Sequence, residues 1–288
     1  GGVYRVAYSP DGTRLAGVGA DNVIRIWDAV TGETILAWTG HGEGVSGGFY
    51  EGTLDVAYSP DGTRIATAGA DGMAKVWDAA TGEELLTLAG HSDGLHSIAY
   101  SPDGRLIATS SDEQDTTVKV WEAQTGVEIY SLSGHTARAW GLAFSPDASR
   151  LVTSGFGGIV KVWDMGTGEE LYTLPNQSTS VLDIAFTPDG QHFITTGGSG
   201  TRVWRKEDGE LVMTLDGGGS VVAAISRDGR WLYTTSLDGM VRVFALQLED
   251  TVALAYERLF RWWRPEECLA YLHTEECPAA PEKFAVEN

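Results

Sequence analysis

Residues 40–52 contain two spacings that are known from catalytic and nucleotide-binding sites. The sequence GVSGG over residues 44–48 fits the G-x-S-x-G pattern of serine hydrolases, and Gly42, Gly44 and Gly47 fit the G-x-G-x-x-G pattern of dinucleotide-binding proteins. The first pattern requires a strand-to-helix turn with acid and histidine partners, and the second requires a helix that receives the phosphates. The flanking residues predict a loop between two strands instead, so we interpret both as chance matches.

The two cysteines are the next candidates for chemistry. Cys268 and Cys277 are the only cysteines of the 288-residue chain, with His273 between them. Structural zinc usually takes four protein ligands, so this set predicts no metal site. The spacing would allow a disulfide, whereas a cytoplasmic location would favour free thiols, and both alternatives stay open. Asp112 and Asp115 could attract a cation, but two carboxylates in one turn are usually only solvated, and we predict neither a metal nor a cofactor.

The composition limits the kinds of partner. The chain has 40 acidic residues against 20 Lys and Arg, which gives a formal net charge of -20. Such a surface repels phosphate backbones and anionic lipid, so we expect neither nucleic acid nor membrane as a partner. The sequence also shows no apolar run of membrane-spanning length and no secretion signal at its start. We therefore expect a cytoplasmic protein.

Six copies of one pattern organise the chain. Turns of the type Ser-Pro-Asp-Gly begin at residues 9, 59, 101, 145, 187 and 226. A short strand follows each turn, and after it comes an apolar strand that ends in an aromatic residue, namely Trp27, Trp77, Trp121, Trp163, Trp204 or Phe244. The turns and the alternation predict four antiparallel strands per copy. Because one such sheet cannot bury both faces, we expect the sheets to stack radially in an all-β ring.

These repeats resemble the WD40 family. The resemblance is carried by the pairs Gly40-His41, Gly90-His91 and Gly134-His135 and by Trp27-Asp28, Trp77-Asp78 and Trp163-Asp164. It covers roughly residues 1–247 and implies a WD40-type β-propeller with six recognisable blades. The last blade lacks its fourth strand, and the resemblance leaves open whether the natural protein has six or seven blades.

The resemblance also implies a buried hydrogen-bonded chain from a Trp N–H through a strand hydroxyl and a His to a turn Asp. The residues in these positions are His41, Thr67, Asp71 and Trp77 in blade two, His91, Thr109, Asp115 and Trp121 in blade three, and His135, Thr153 and Trp163 in blade four. Blade four has Gly157 in the place of the Asp. Blades five and six lack the Gly-His pair, so we expect apolar packing to hold them.

The period of the sequence changes after the propeller. Apolar residues recur at helical spacing from Leu248, which predicts a short α-helical tail over residues 248–288. It is expected to cover the propeller, with docking of another domain as the alternative. The tail resembles the ends of WD40 arrays in bacterial multidomain signalling proteins, including STAND-type ATPases, BTAD-type regulators and serine/threonine kinases. Because ring closure in the family uses both termini, we expect a chain truncated at its start and an upstream domain in the same polypeptide.

One face of the disc is the expected binding surface. Loops between blades and loops between second and third strands share this face, and both lengthened loops of the repeats fall there. The candidates for partner binding are Tyr4, Phe49, Tyr50, Leu54, His96, Trp140, Phe156, Leu182 and Val221. Aromatic and aliphatic side chains are typical of the core of a protein interface.

The sequence therefore predicts a non-catalytic scaffold or sensor that binds a protein or peptide, in the C-terminal part of a larger bacterial signalling or regulatory protein. The alternative is a propeller that binds a sugar or small molecule, or acts as an enzyme, through its central depression. That alternative needs several converging titratable groups, and His96 is the one that stands out there. A purely structural spacer is the third hypothesis.

Overall fold

The computed structural model describes residues 2–42, 51–175, 177, 180–198, 200–215, 219–236 and 238–246. These residues form 23 β-strands in six antiparallel sheets and contain no helix, so none of them forms a helix that could cross a membrane. Five sheets have four strands in sequence order, and the sixth has three. The predicted all-β fold with six blades is confirmed. The predicted tail over 248–288, with Cys268 and Cys277, lies outside the described residues, as do Phe49 and Tyr50.

The strands follow one another from the inner to the outer edge of each blade. Blades one to three contain β1 (Val3–Tyr8), β2 (Arg14–Gly19), β3 (Val23–Asp28), β4 (Thr34–Thr39), β5 (Thr53–Tyr58), β6 (Arg64–Gly69), β7 (Met73–Asp78), β8 (Glu84–Ala89), β9 (Leu95–Tyr100), β10 (Leu106–Ser111), β11 (Val118–Glu122) and β12 (Glu128–Leu132). Blades four to six contain β13 (Ala139–Phe144), β14 (Arg150–Gly155), β15 (Val160–Asp164), β16 (Glu170–Thr173), β17 (Val181–Phe186), β18 (His192–Gly197), β19 (Gly200–Arg205), β20 (Leu211–Leu215), β21 (Ser220–Ile225), β22 (Trp231–Ser236) and β23 (Val241–Ala245).

The Ser-Pro-Asp-Gly turn joins the first two strands of each blade. In blade one the Ser9 hydroxyl donates to Asp11 at 2.6 Å and accepts from the Arg14 amide at 2.9 Å. Gly12 takes a φ of 72°, in the left-handed region that glycine adopts without a Cβ penalty. Ala148 occupies the corresponding place in blade four with a φ of 56°. The side chains of the turn thus satisfy its own backbone, which explains why the motif recurs.

Neighbouring blades are held together by apolar packing. Ile24 and Ile26 of blade one form a cluster with Ile65 and Trp77 of blade two, and all four side chains are buried. Four further clusters of the same kind join blades two to three, three to four, four to five and five to six. In the junctions of blades one to five, a Trp on the third strand of one blade packs against the preceding blade. The predicted radial stacking of sheets is therefore present.

The outer faces of the first and last blades differ from these junctions. Val6 and Tyr8 on blade one are 55% and 65% exposed, and Val241 and Val243 on blade six are 63% and 52% exposed. The residues of blade one that correspond to Val241 and Val243 are Ile24 and Ile26, which are fully buried. The described residues thus leave two apolar blade faces exposed, one at each end of the row of blades.

Candidate functional site

The hydrogen-bonded chain expected from the repeats is present in blades two and three. His41 Nδ1 lies 3.0 Å from Asp71 Oδ1, and its Nε2 lies 2.8 Å from Thr67 Oγ1. Trp77 Nε1 donates to the same hydroxyl at 2.9 Å. Because a carboxylate only accepts, the imidazole donates from Nδ1 and accepts the Thr67 proton at Nε2. Blade three repeats this with His91, Thr109, Asp115 and Trp121, at distances of 2.8 to 2.9 Å.

Blade four keeps a shorter version of the chain. His135 Nε2 lies 2.8 Å from Thr153 Oγ1, and Trp163 Nε1 donates to Thr153 at 2.9 Å. Gly157 stands where blades two and three have Asp71 and Asp115. Burial lowers the pKa of His135 to about 4, so the ring is neutral at pH 7.

Blade five has a Trp-to-Thr hydrogen bond and a buried glutamine that were missing from the predicted hydrogen-bonded chain. Trp204 Nε1 donates to Thr195 Oγ1 at 2.9 Å, as in the earlier blades. Gln177 is buried, and its side-chain oxygen accepts a hydrogen bond from Arg202. Gln177 precedes the turn residue Thr187 by the same interval that separates His135 from Ser145. The spacing from the turn could therefore have identified it, although the residue type could not.

Three of the predicted binding residues form an aromatic cluster between blades three and four. Trp140, the second residue of β13, stacks on His96, the second residue of β9, with ring centroids 4.6 Å apart and an interplanar angle of 21°. Phe156, in the turn after β14, lies 5.5 Å from Trp140. Trp140 is half-buried and Phe156 is exposed. The three rings thus form one partly exposed aromatic cluster.

Charged side chains from two loops hold the aromatic cluster in place. Arg138, just before β13, lies over the Phe156 ring at 5.0 Å and is buried. Its Nε lies 3.3 Å from Asp112, and one of its terminal nitrogens donates to Glu113 at 2.7 Å. His96 Nε2 lies 3.2 Å from the other oxygen of Asp112. One carboxylate therefore positions both the stacked imidazole and the stacked guanidinium.

The lengthened turn of blade three is itself fixed by hydrogen bonds. Asp93 is buried and accepts from the Gln114 amide at 3.0 Å, and the Ser111 hydroxyl donates to the carbonyl oxygens of Asp93 and Gly94. Burial lowers the pKa of His96 below its ordinary value even though Asp112 is close, so the imidazole is neutral near pH 7. We call Asp93, Asp112 and Glu113 the acidic rim of the aromatic cluster.

The other predicted binding residues that the structure describes are not members of this ring cluster. Leu54 is buried in the second blade, while Leu182 and Val221 are half-buried on the inner strands of blades five and six. Tyr4 is 44% exposed on blade one, next to the exposed outer face of that blade. His96, Trp140 and Phe156 are the predicted binding residues whose mutual ring contacts the structure establishes.

The inner strands also carry charged residues that were not among the predicted site residues. Asp55 is buried and accepts from the Ser97 hydroxyl at 2.8 Å and the Ile98 amide at 3.0 Å, while Arg5 lies 3.9 Å away. Asp183 accepts from the Ala223 amide at 2.9 Å, and burial raises its pKa to about 6. Asp55 and Asp183 directly follow the predicted residues Leu54 and Leu182, so the same repeat position, moved by one residue, would have found them.

Within the described ranges, no group of three or more His, Cys, Asp or Glu residues is arranged to hold a metal ion. Comparison with protein families gives two matches. Residues 52–258 match the family model described as IFT122 first beta-propeller, and residues 1–28 match the model described as WD domain, G-beta repeat. No curated protein matches the chain.

Proposed function

Since the chain belongs to the β-propeller family that the IFT122 first beta-propeller model describes, and its repeats are of the WD40 type, we propose that it is a non-catalytic scaffold or sensor. Propellers of this type generally bind proteins or peptides. We propose the aromatic cluster of His96, Trp140 and Phe156 as the place where this chain contacts its partner. No nucleic acid or membrane is part of the proposal, because the net charge of -20 opposes both.

The observation that carries the proposal is a partly exposed aromatic cluster whose rings contact one another and neighbouring charged side chains. Aromatic anchors dominate the binding energy of protein interfaces when they are held in place before the partner arrives. Here Trp140 is fixed between His96 and Phe156, and Asp112 and Arg138 fix those two rings in turn. Little side-chain entropy would be lost on binding, which favours recognition by this surface.

The contacts of the two carboxylates on the inner strands, Asp55 and Asp183, favour a binding role over an enzymatic role. Asp55 and Asp183 each accept a hydrogen bond from a backbone amide of the next blade. Such contacts join neighbouring blades, which is a structural role. An enzyme or a sugar-binding propeller would instead need these groups to converge on a ligand in the central opening.

The wider setting of the domain is also part of the proposal. We place it in the cytoplasm, in the C-terminal part of a larger bacterial signalling or regulatory protein with an upstream domain in the same polypeptide. The support is the resemblance of residues 248–288 to the ends of WD40 arrays in such proteins. There the propeller would report the presence of its partner to the upstream domain.

Selection of peptides from a random phage-displayed library on the purified chain tests the binding proposal. We expect enriched peptides to bind Trp140→Ala at least about 10-fold more weakly, because the variant removes the central aromatic ring. Trp231→Ala is the matched control, since Trp231 is also half-buried but lies on blade six. Circular dichroism and thermal melting would verify that both variants are folded. Enriched peptides that bind Trp140→Ala as tightly as the unchanged chain would contradict the proposal.

A further inference from the structure

The charges around the aromatic cluster indicate what kind of side chain it would accept. Arg138 is the one cation among the described side chains of the cluster and its acidic rim. The carboxylates of Asp112 and Glu113 contact it, and Asp93 accepts from the Gln114 amide of the same turn. His96 is neutral near pH 7, because burial lowers its pKa. The formal charge of the cluster with its acidic rim is therefore negative, on a chain that is already strongly acidic.

Arg138 shows that the cluster stabilises a guanidinium group. Its charged group lies 5.0 Å from the centre of the Phe156 ring, while Asp112 and Glu113 contact its nitrogens. A cation over an aromatic ring is attracted by the negative charge density of the ring face, and more strongly where water is excluded. The side chain of Arg138 is only 8% exposed and is engaged by both carboxylates. A partner would therefore meet the aromatic rings and Glu113, rather than this arginine.

We propose that the aromatic cluster binds the cationic side chain of a Lys or Arg in a basic peptide segment, which stacks on Trp140 and Phe156 and forms an ion pair with Glu113. Glu113 is suited to this contact because its side chain is 58% exposed while its backbone lies in the fixed turn of blade three. An acidic segment would meet the acidic rim and be repelled. This inference rests on the proposed function, since it names the chemistry of the partner at the same site.

Fluorescence anisotropy with three synthetic peptides tests this inference. The probes are fluorescein-labelled heptapeptides in which Ala alternates with Arg, with Gln or with Glu. We expect the Arg peptide to bind at least about 10-fold more tightly than the Gln peptide and to lose affinity as salt is added. The Glu peptide should bind most weakly. Equal or tighter binding of the Gln or Glu peptide would overturn the inference.

Two variants and one control assign the effect to this site. Glu113→Gln should weaken binding of the Arg peptide about 3-fold, as expected for a partly exposed ion pair, and Trp140→Ala at least about 10-fold. Glu207→Gln is the control, because Glu207 is 65% exposed and also pairs with an arginine, Arg150, but belongs to the β19–β20 turn. We expect no change for it. An unchanged affinity of Glu113→Gln would also overturn the inference.

The two levels of the proposal can fail separately. Library-selected peptides that are neutral or acidic, and yet depend on Trp140, would remove the cationic specificity and leave the binding surface in place. If Trp140→Ala bound the library-selected peptides and the Arg peptide as tightly as the unchanged chain, both the binding surface and its cationic specificity would be contradicted. Because Glu113→Gln changes an exposed side chain and Arg138 keeps Asp112, the test does not depend on a core substitution.

Discussion

In blade two, the buried hydroxyl of Thr67 joins the indole ring of Trp77 to the imidazole ring of His41. Thr67 Oγ1 accepts from Trp77 Nε1 and donates to His41 Nε2, and all three side chains are buried. Thr67→Val keeps the shape but leaves the indole N–H and the imidazole nitrogen without this partner. Each buried polar group that loses its partner costs about 1 to 3 kcal/mol. We expect Thr67→Val to lower the free energy of unfolding by about 2 to 4 kcal/mol, as measured by urea denaturation.

For Thr234, which occupies the corresponding position in blade six, we expect that replacement by Val does not reduce stability. Thr234 is buried there, its blade has Phe244 in place of the Trp, and its hydroxyl has no hydrogen-bond partner among the described residues. Replacing a hydroxyl that lacks a partner with a methyl group removes a desolvation penalty. Thr234→Val should therefore be neutral or stabilising in the same denaturation experiment. A loss as large as that of Thr67→Val would show that the hydroxyl has a role that this geometry does not explain.

A carboxyl group on an inner strand makes stability depend on pH. Burial raises the pKa of Asp183 to about 6, above the ordinary 3.8, so the folded state holds its proton more tightly than the unfolded state. This contribution is present below pH 4 and declines between about pH 4 and 6, and it is lost above that range. Asp183→Asn keeps an oxygen for the Ala223 amide and does not titrate. We expect the variant to gain stability relative to the unchanged chain above pH 6, by up to about 3 kcal/mol.

Thermal melting of both proteins at pH 4, 5, 6 and 7 would measure this difference. The comparison between the two proteins isolates the effect of the Asp183 carboxyl group, because all other titratable residues are the same in both. A difference in stability that stays constant across the range would contradict the raised pKa.

Residue positions were predictable from the sequence wherever they recur at a fixed distance from the turn. The members of the buried chain in blades two to four follow this rule, and so does Gln177, whose different chemistry hid it. The raised pKa of Asp183 was not predictable, because it comes from burial of the carboxyl group in the folded array, where its hydrogen-bond partner Ala223 is 40 residues away on another blade. The contact of Asp112 with Arg138 also joins two separate loops. Spacing within a repeat does not contain information about such pairs.

At the scale of the blades, an arginine at the start of a second strand joins one blade to the next. Arg14 donates to the Ala79 carbonyl at 3.3 Å, Arg64 to the Ala123 carbonyl at 3.1 Å, and Arg150 to the Lys206 carbonyl. The sequence by itself shows only a polar residue at the start of the second strand. It does not reveal these contacts, because the acceptors are backbone carbonyl oxygens of a different blade. Blade three has Leu106 at this position.

Arg64→Leu imitates blade three and should weaken one junction. We expect a loss of about 1 kcal/mol in the free energy of unfolding, because one hydrogen bond between blades is removed while the strand keeps a residue that is tolerated there. Arg105→Leu is the control, as Arg105 is exposed in the turn of blade three. Urea denaturation of the two variants measures the effect. Equal stabilities would show that the contact between blades contributes nothing.

The third strand of each blade shows how one element adapts when a neighbour changes. Every third strand has a cation at the same position, and it is a Lys in the three blades that contain the repeat His. The Lys pairs with a Glu on the fourth strand in each case, as in Lys75 with Glu84, Lys119 with Glu128 and Lys161 with Glu170. Blades one and six, where this His is not among the described residues, have an Arg that pairs with the turn Asp, as in Arg25 with Asp21 and Arg242 with Asp238. In blades two and three the repeat His forms a hydrogen bond with the turn Asp. The Lys therefore pairs with a Glu on the fourth strand instead.

At the scale of the whole molecule, the aromatic cluster lies in the middle of the row of six blades. Each blade packs on its immediate neighbours, so stability is transmitted from junction to junction. Blades three and four, which form the cluster, have two further blades on either side. The proposed binding surface is therefore supported by complete junctions, while the exposed apolar faces lie at the ends of the row.

The exposed end faces give a prediction that depends on where a residue lies in the whole array. Ile26 and Val243 occupy the same repeat position, but Ile26 is fully buried against blade two and Val243 is 52% exposed on the outer face of blade six. Ile26→Lys would place a charge in a packed junction and should prevent stable folding or cost several kcal/mol. Val243→Lys should change the free energy of unfolding by less than about 1 kcal/mol and reduce self-association, because it adds a charge to an exposed apolar sheet face. Thermal melting and sedimentation velocity would measure these effects, and a loss of stability in Val243→Lys as large as that in Ile26→Lys would show that this face is covered in solution.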